Sequence, residues 1–487
     1  MNALPAFPER VRSALGDGRL HVALGRATQA LRSRRGAALA SLEEAERVRD
    51  LARKARLEVL ADLGAQLQRF EERLVASGAS VHWAESGDDA NRIVLEIARQ
   101  HAVKRVVKSK SMATEETHLN ESLQHAGLEV VETDLGEYVV QLAEDRPSHI
   151  ILPIIHMTRE AVGAVMHERL QVPLSDDPKT LAGYARIRLR EEFLRADMGI
   201  TGANFGVVET GAICLVTNEG NGRMVTTLPR VQVVLMGIEK LVPTLQDLDP
   251  FLKLLARSAT GQKITTYTTL IRGPRRPDDE CGPQALHVVL LDNGRSRLLA
   301  GENAEILGCI RCGACLNVCP IYKSIGGHAY GDTYPGPIGA VVTPALRGLH
   351  GWSELPAAST LCGACRDVCP VRLDIPRMLL SLRRDTARAE GAPLGIRLGI
   401  KVFSWIAPRP ALYRFVARAA RHLLRALARQ GWLRRLHGPA AGWTAVRDFK
   451  APAAKTFQDL FERRQPPPAR ATGSTPGASA GALGGQE

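Results

Sequence analysis

Two related cysteine runs constrain this chain more strongly than any other feature. The first places Cys309, Cys312, Cys315 and Cys319 at C-x₂-C-x₂-C-x₃-C spacing, and Pro320 follows. This spacing is typical of bacterial ferredoxins, in which the first three cysteines bind one iron–sulfur cluster and the fourth binds a second. The run therefore predicts two clusters.

The second run repeats the first with one substitution. Cys362, Cys365 and Cys369 keep the spacing and Pro370 follows, but Ser359 stands where the first cysteine would be. The second cluster is therefore one cysteine short. Its fourth iron is either absent or bound by a serine oxygen, water, a partner's ligand or a remote cysteine. The remote cysteines are Cys214 and Cys281.

The reciprocal pattern divides the thiols between two [4Fe-4S] clusters. The first cluster is assigned Cys309, Cys312, Cys315 and Cys369. The second cluster is assigned Cys319, Cys362 and Cys365. Zinc is the main alternative, but a four-cysteine run ending in proline is unusual for a tetrahedral zinc site. Disulfides fit poorly because seven clustered cysteines leave one unpaired.

Length and composition are those of an ordinary globular protein. The chain has 487 residues, of which 45% are apolar and 24% are charged, and this length allows about two to four domains. We find no long apolar run and no signal peptide, and therefore expect a cytoplasmic protein. The net charge of +13 suits nucleic acid or an anionic membrane. Because arginine concentrates at 394–437 without a nucleic-acid motif, we expect no nucleic acid and instead peripheral contact with the inner membrane face or an electron acceptor.

Short β-rich runs alternate with helical segments across the first half of the chain. Alternation of this kind predicts a mostly parallel sheet covered by helices on both faces. The predicted strands are Val81–Ala84, Val103–Val107, Leu128–Thr133, His149–Leu152, Val207–Val216, Val231–Met236 and Leu286–Leu291. The predicted divisions are a helical segment 1–75, an α/β domain 76–295, a ferredoxin-type domain 296–390, a basic helical region 391–460 and a disordered tail 461–487.

Three polar loops of the α/β domain are candidate cofactor or ligand sites, because α/β sheets bind ligands where strands end. The candidate residues are Lys108, Ser109, Lys110, Asn204, Glu219, Asn221 and Arg223. Ordinary turn chemistry is the alternative for each loop. Asp134, Glu209 and Glu219 are candidate general bases, but the sequence alone assigns no catalytic residue. His149 and His156 are either ligands or histidines satisfied at a strand end.

Longer motifs resemble the lactate utilization protein B family. They are residues 108–112, 200–211, 217–223, 237–243 and 326–330, which occur in order together with the cysteine runs. The likeness covers residues 30–450. It implies a lactate-utilisation α/β domain of the sugar-phosphate isomerase and CoA-transferase type, then an α-helical ferredoxin-type domain with two [4Fe-4S] clusters and a helical C-terminal region.

The resemblance also implies a function. Such a protein relays electrons in the oxidation of L-lactate to pyruvate, beside a cysteine-rich iron–sulfur protein and a second lactate-utilisation protein. The same three-cysteine second site is expected in this family. Two further hypotheses remain: the α/β domain itself binds and oxidises the 2-hydroxy acid, or the clusters serve a DNA-binding sensor, which the missing recognition motif disfavours.

Overall fold

The structure is a computed structural model that describes residues 5–389, 391, 394–438, 441–444 and 447–461. The chain divides into two compact units, residues 1–390 and residues 391–487. Within the described residues, none of the helices combines the length and the apolar character that crossing a membrane requires.

Four helices open the first unit. They are α1 (Phe7–Gly16), α2 (Gly18–Ala40), α3 (Ala45–Ala61) and α4 (Leu63–Ala76). The Asp17 carboxylate caps α2 by accepting the backbone N–H groups of Arg19 and Leu20, which otherwise lack partners in the first helical turn. Leu24 of α2 and Ala52 of α3 pack into the core that contains the cysteine runs.

A six-stranded parallel sheet forms the centre of the α/β region, with the strand order β1-β10-β7-β4-β2-β3. The strands are β1 (Ser80–Ala84), β2 (Arg105–Lys108), β3 (Glu129–Glu132), β4 (Met198–Thr201), β5 (Phe205–Val207), β6 (Ala212–Thr217), β7 (Val231–Gly237), β8 (Leu241–Val242), β9 (Tyr267–Ile271) and β10 (Ala285–Leu291). Every residue of the central strand β7 is buried, as expected for a parallel strand with both faces covered.

Helices accompany these strands. They are α5 (Gly87–Gln100), α6 (Met112–Glu116), α7 (Leu119–His125), α8 (Leu135–Leu142), α9 (Arg159–Leu170), α10 (Pro178–Arg195), α11 (Asn221–Thr227), α12 (Leu245–Ala259) and α13 (Arg295–Leu299). The predicted alternation of strands and helices is confirmed. A second, mixed sheet with the order β8-β5-β6-β9 was not predicted.

Two strand predictions were wrong. The run Val207–Val216 is the hairpin of β5 and β6, because the chain reverses at Gly211 with a φ of +69°. The run His149–Leu152 is a loop. Its turn is fixed by His149 Nδ1, which accepts the N–H groups of Ile151 and Leu152 at 3.0 and 3.1 Å. A side chain that bonds its own loop in this way competes with strand pairing.

Short helices carry the cysteine runs. They are α14 (Ala314–Val318), α15 (Pro320–Ile325), α16 (Gly336–Arg347), α17 (Ala364–Asp367) and α18 (Ile375–Ala389), with 3₁₀ turns at Ala304–Gly308, His328–Tyr330 and Leu355–Ala357. α16 begins at Gly336 in a segment rich in glycine and proline. Pro337 lies in its first turn, where proline favours helix initiation.

The second unit is mainly helical. It contains α19 (Leu394–Ile406), α20 (Pro410–Leu427), β11 (Trp432–Leu433), α21 (Ala441–Thr444), β12 (Phe449–Lys450) and α22 (Phe457–Phe461). Neither α19 nor α20 has a buried residue. The predicted tail 461–487 lies outside the described residues, except for Phe461 at the end of α22.

Candidate iron–sulfur centre

The two cysteine runs fold as copies of one backbone motif. Arg311 and Leu361 occupy equivalent positions and have φ angles of 57° and 54°. Gly313 and Gly363, two residues later in each copy, have φ angles of 71° and 85°. Such left-handed turns are costly for non-glycine residues, so their recurrence in both runs shows that the repeat extends from sequence to conformation.

Ser359 and Cys309 have the same hydrogen-bond environment. The backbone N–H of Arg311 donates to Cys309 Sγ over 3.4 Å. In the second copy the N–H of Leu361 donates to Ser359 Oγ over 3.1 Å. The serine oxygen therefore takes the place that the first thiol sulfur has in the first run.

Close pairs of thiols join the two cysteine runs. None of the nine cysteines, all within described segments, forms a disulfide. Burial and the neighbouring thiols of Cys309 and Cys369 raise the pKa of Cys312 to about 12. Burial and the neighbouring thiol of Cys319 raise the pKa of Cys365 to about 12. Cys369 thus lies with the first run although it belongs to the second, and Cys319 lies with the second.

The spacing of the thiols does not match a closed tetrahedral zinc site. Four sulfurs around a tetrahedral zinc with bonds of about 2.3 Å lie about 3.8 Å apart. Among the described residues, the side chains that bring three ligand atoms within 4.8 Å of one another are Asp145, His156 and His328. No three of the cysteine sulfurs, all of which lie in described segments, come that close to one another. Burial raises the pKa of Cys312, Cys365 and Cys369, so metal bound there must displace the protons.

Cationic side chains surround the first thiol group. Arg56, Lys240 and Arg311 each interact electrostatically with the Cys309 thiol. Arg35 does so with the thiols of Cys312 and Cys369. Positive charge beside a cluster favours its reduced, more negative form, so this environment favours a high reduction potential at the first site.

The segment between the two runs covers the site. Tyr322 and Tyr330 are buried, and burial beside Cys319 raises the pKa of Tyr330. Gly327 contacts the α/β region so closely that a Cβ atom there would lie 1.8 Å from the Ser148 carbonyl oxygen. Cys362, by contrast, is exposed. The second thiol group therefore reaches the surface at Cys362, whereas in the first group Cys312 and Cys369 are buried and the other two thiols are half-buried.

The predicted loop residues of the α/β domain lie in several places. Lys108 is fully buried, and its Nζ pairs with Glu115 at 2.8 Å and Glu132 at 2.7 Å. Ser109 is buried and donates its backbone N–H to Ile200. These contacts give Lys108 and Ser109 structural roles that do not depend on a ligand.

Three other candidate residues lie close together just beyond the ends of β2 and β3, namely Lys110, Asp134 and Glu219. Lys110 Nζ lies 2.7 Å from the Glu137 carboxylate. Glu219 accepts the N–H of Leu135 at 3.1 Å. Burial and the neighbouring Asp134 raise its pKa to about 7, although Lys110 acts against this shift.

The other three candidate residues are Asn204, Asn221 and Arg223. Asn221 Nδ2 donates to Thr133 Oγ1 over 3.3 Å, beside the end of β3. Asn204 Oδ1 accepts the N–H of Val216 at 2.8 Å and so stabilises the β5–β6 hairpin. Arg223 is exposed on α11. The loops 108–112 and 201–204 meet, because a Cβ at Gly202 would lie 2.5 Å from Ser111 Oγ.

A buried ionic network beside the first thiol group was missed by sequence reasoning. Arg295 bridges Glu116 at 2.8 Å and Glu239 at 2.6 Å. Tyr334 donates to Glu116 over 2.8 Å, and the Arg311 guanidinium stacks 4.7 Å from the Tyr334 ring centre. The only signal in the sequence is Arg311 within the first cysteine run, because the other members are distant along the chain.

Comparison with known proteins follows the same division of the chain. The LUD domain matches residues 67–291, the 4Fe-4S dicluster domain residues 305–373, and the C-terminal domain of lactate utilisation protein B residues 387–466. The fold is thus an α/β LUD domain followed by an iron–sulfur domain and this family's C-terminal region.

Full-length relatives extend the comparison. Lactate utilization protein B of Bacillus pumilus (strain SAFR-032) is 42% identical, covering 94% of this chain and 98% of the relative. That of Bacillus subtilis (strain 168) is 41% identical, covering 94% and 96%. The relative named "Uncharacterized electron transport protein YkgF" of Escherichia coli (strain K12) is 41% identical, covering 94% and 97%. The chain belongs to the lactate utilization protein B family.

Proposed function

We propose that this chain is an iron–sulfur electron-transfer subunit that carries two [4Fe-4S] clusters in the oxidation of L-lactate to pyruvate. The observation that carries the proposal is the division of seven thiols into two groups, with Cys319 and Cys369 exchanged between the runs. The names of the relatives, which refer to lactate utilization and electron transport, support the pathway.

The chain's own residues hold the two sites together and shield them. Each [4Fe-4S] cluster, when bound, supplies reversible one-electron transfer. The exchange of Cys319 and Cys369 keeps the two thiol groups adjacent, and Cys315 of the first group interacts with Cys365 of the second. Tyr322 and Tyr330 exclude water from the enclosed side, whereas the exposed Cys362 gives a partner access to the second group.

The proposed partners are the other lactate-utilisation subunits, a cysteine-rich iron–sulfur protein and a second LUD-domain protein. A relay without its own substrate site requires a donor and an acceptor. The second unit supplies a surface for an acceptor or a membrane, since apolar side chains of α19 are exposed. On α20, Arg414, Arg418 and Arg425 are exposed as well, whereas Arg421 is half-buried.

Metal analysis of variants tests the two-cluster assignment. The anaerobically purified chain is expected to contain about eight iron and eight sulfide ions. Cys309→Ala is expected to remove one cluster and Cys362→Ala the other, so each variant retains about half of the iron. Cys281→Ala, at an exposed cysteine outside both groups, is the control. Zinc without acid-labile sulfide in the wild type would refute the proposal.

A second candidate function is 2-hydroxy acid binding by the LUD domain. The observation that favours it is Glu219, whose pKa of about 7 is close to that of an effective general base. Lys110 lies near enough to interact with it and carries charge complementary to a carboxylate substrate. Buried ion pairs also perturb pKa values, so direct binding is the decisive measurement.

Calorimetric titration of the full chain with L-lactate distinguishes the two functions. If the LUD domain is the substrate site, wild type binds lactate and Glu219→Gln weakens binding about tenfold or more, through loss of a charged hydrogen bond. Glu168→Gln makes the same chemical change at an exposed carboxylate of α9 and is expected to bind like wild type. Absence of lactate binding by the wild type would leave electron relay as the function.

A further inference from the structure

We propose that Ser359 Oγ is the fourth protein ligand of the second cluster, as an alkoxide. This inference rests on the proposed function, because it requires that the second cluster exists. It assigns a ligand at the position where the cysteine count is one short.

Backbone geometry carries the proposal. Ser359 is followed by Leu361 at a φ of 54° and Gly363 at 85°, and Cys309 by Arg311 and Gly313 at 57° and 71°. Because the hydrogen bond from the residue two positions later is also repeated, Ser359 Oγ has the same direction relative to its run as Cys309 Sγ. In the first copy that direction leads to a cluster ligand.

The surroundings of Ser359 favour a charged oxygen in a fixed position. The N–H of Leu361 donates to Oγ at 3.1 Å, and hydrogen bonds to a charged form stabilise it. The Arg383 guanidinium donates to the backbone carbonyls of Ser359 and Pro356, each at 2.8 Å. Arg383 therefore fixes the backbone that presents the serine and places a positive charge close by.

The two remote cysteines have less suitable positions. Cys214 is buried in β6, where it pairs with Phe205 of β5, and burial raises its pKa to about 12. Its thiol is committed to the core of the small sheet. Cys281 is exposed in the segment before β10, and no described contact joins it to either cysteine run. Ser359 requires no rearrangement to serve.

The sign of the potential shift tests the ligand. An alkoxide is a harder anionic ligand than a thiolate, so it stabilises ferric iron more strongly. If Ser359 is the ligand, Ser359→Ala removes an anionic donor and Ser359→Cys supplies a softer one. Both changes are expected to raise the midpoint potential of the second cluster, while the potential of the first stays unchanged.

If water or an exogenous group is the ligand instead, the pattern differs. Ser359→Ala then leaves the potential unchanged, and Ser359→Cys lowers it by adding a negative charge. Either result would overturn the proposal. Ser324→Ala removes an exposed hydroxyl of α15 that bonds the Pro320 carbonyl and is the matched control.

Mild oxidation with ferricyanide gives an independent readout. One-electron oxidation of a [4Fe-4S]²⁺ cluster followed by loss of Fe²⁺ leaves a [3Fe-4S]⁺ cluster, which electron paramagnetic resonance detects. The rate of this conversion at the second site is expected to increase in Ser359→Ala and to decrease in Ser359→Cys. Equal rates in wild type and Ser359→Ala would overturn the ligand assignment.

The iron and sulfide contents of the wild type show whether the serine ligand alone is refuted or the electron-transfer function as well. Wild type with two clusters but no effect of Ser359→Ala refutes the serine ligand and leaves the electron-transfer function intact. Wild type with a single cluster refutes both.

Discussion

His287 of β10 lies between two other histidines, His82 of β1 and His101 at the C-terminal end of α5. Its Nδ1 is 3.2 Å from His82 Nε2, and its Nε2 is 3.1 Å from His101 Nε2. Burial, with smaller contributions from His82 and His101, lowers the pKa of His287 to about 4. Both ring nitrogens of His287 face other imidazoles. The protonated form of His287 therefore has no carboxylate beside its ring nitrogens to stabilise the charge.

This arrangement predicts acid sensitivity of the fold. An unfolded histidine titrates near pH 6.5, so between about pH 4 and 6.5 the unfolded chain binds the proton and the folded chain does not. Stability is expected to fall as pH decreases through this window, by up to about 1.4 kcal/mol per pH unit for one group. Replacing His287 with Gln removes this term, so the melting temperature of the anaerobic protein should depend less on pH.

His125→Gln is the control for that measurement, because His125 is exposed at the end of α7. It should preserve the wild-type pH dependence. An unchanged pH dependence in His287→Gln would show that His287 does not determine the acid sensitivity.

At the scale of elements, α20 has a face rich in arginine next to exposed apolar side chains. Arg414, Arg418, Arg421 and Arg425 recur at helical spacing, and Tyr413, Phe415 and Leu423 are exposed. Asp459 of α22 pairs with Arg418 at 2.7 Å. A basic, amphipathic helix with this pattern suits the interface of an anionic membrane.

Vesicle binding tests this interpretation of α20. Each arginine near an anionic surface contributes on the order of 1 kcal/mol. Replacing Arg414, Arg418, Arg421 and Arg425 with Gln should therefore abolish sedimentation with phosphatidylserine-containing vesicles at low salt.

The control for α20 removes equal charge elsewhere. The four substituted residues are the exposed Arg159, Arg169, Arg186 and Arg190, and this variant should still sediment. If the wild type fails to sediment at low salt, contact with a partner protein becomes the better interpretation of this helix.

The elements also show which parts of the fold are visible in the sequence. Strands such as β7 and β10 were predicted because continuous β-branched and aliphatic runs suit a buried parallel strand. The run at His149–Leu152 has similar composition, but the imidazole of His149 bonds the following backbone and prevents pairing. Local composition does not reveal such a contact. The small mixed sheet was missed because β5 pairs with β8 and β6 with β9, and these partners are distant along the chain.

At the scale of the whole molecule, long-range contacts account for what the sequence did not reveal. The cysteine assignments follow from spacing, because ligand geometry is encoded within twelve residues or fewer of each run. The cations around the first thiol group come instead from α3, from the turn after β7 and from the cysteine run itself. Only the folded chain places Arg56 and Lys240 beside Cys309.

The close contact between Gly327 and the Ser148 carbonyl limits how this ferredoxin module can be exchanged between proteins. A gene fragment encoding residues 296–390 alone would lack the α/β loop that receives the Tyr322 hydroxyl and the His328 imidazole, which bond the carbonyls of Ser148 and Arg146 at 2.8 and 2.7 Å. Recombination at the boundary between the two modules would thus separate the ferredoxin-type domain from the α/β loop that it contacts. A chimaera that keeps these contacts must therefore carry both halves together.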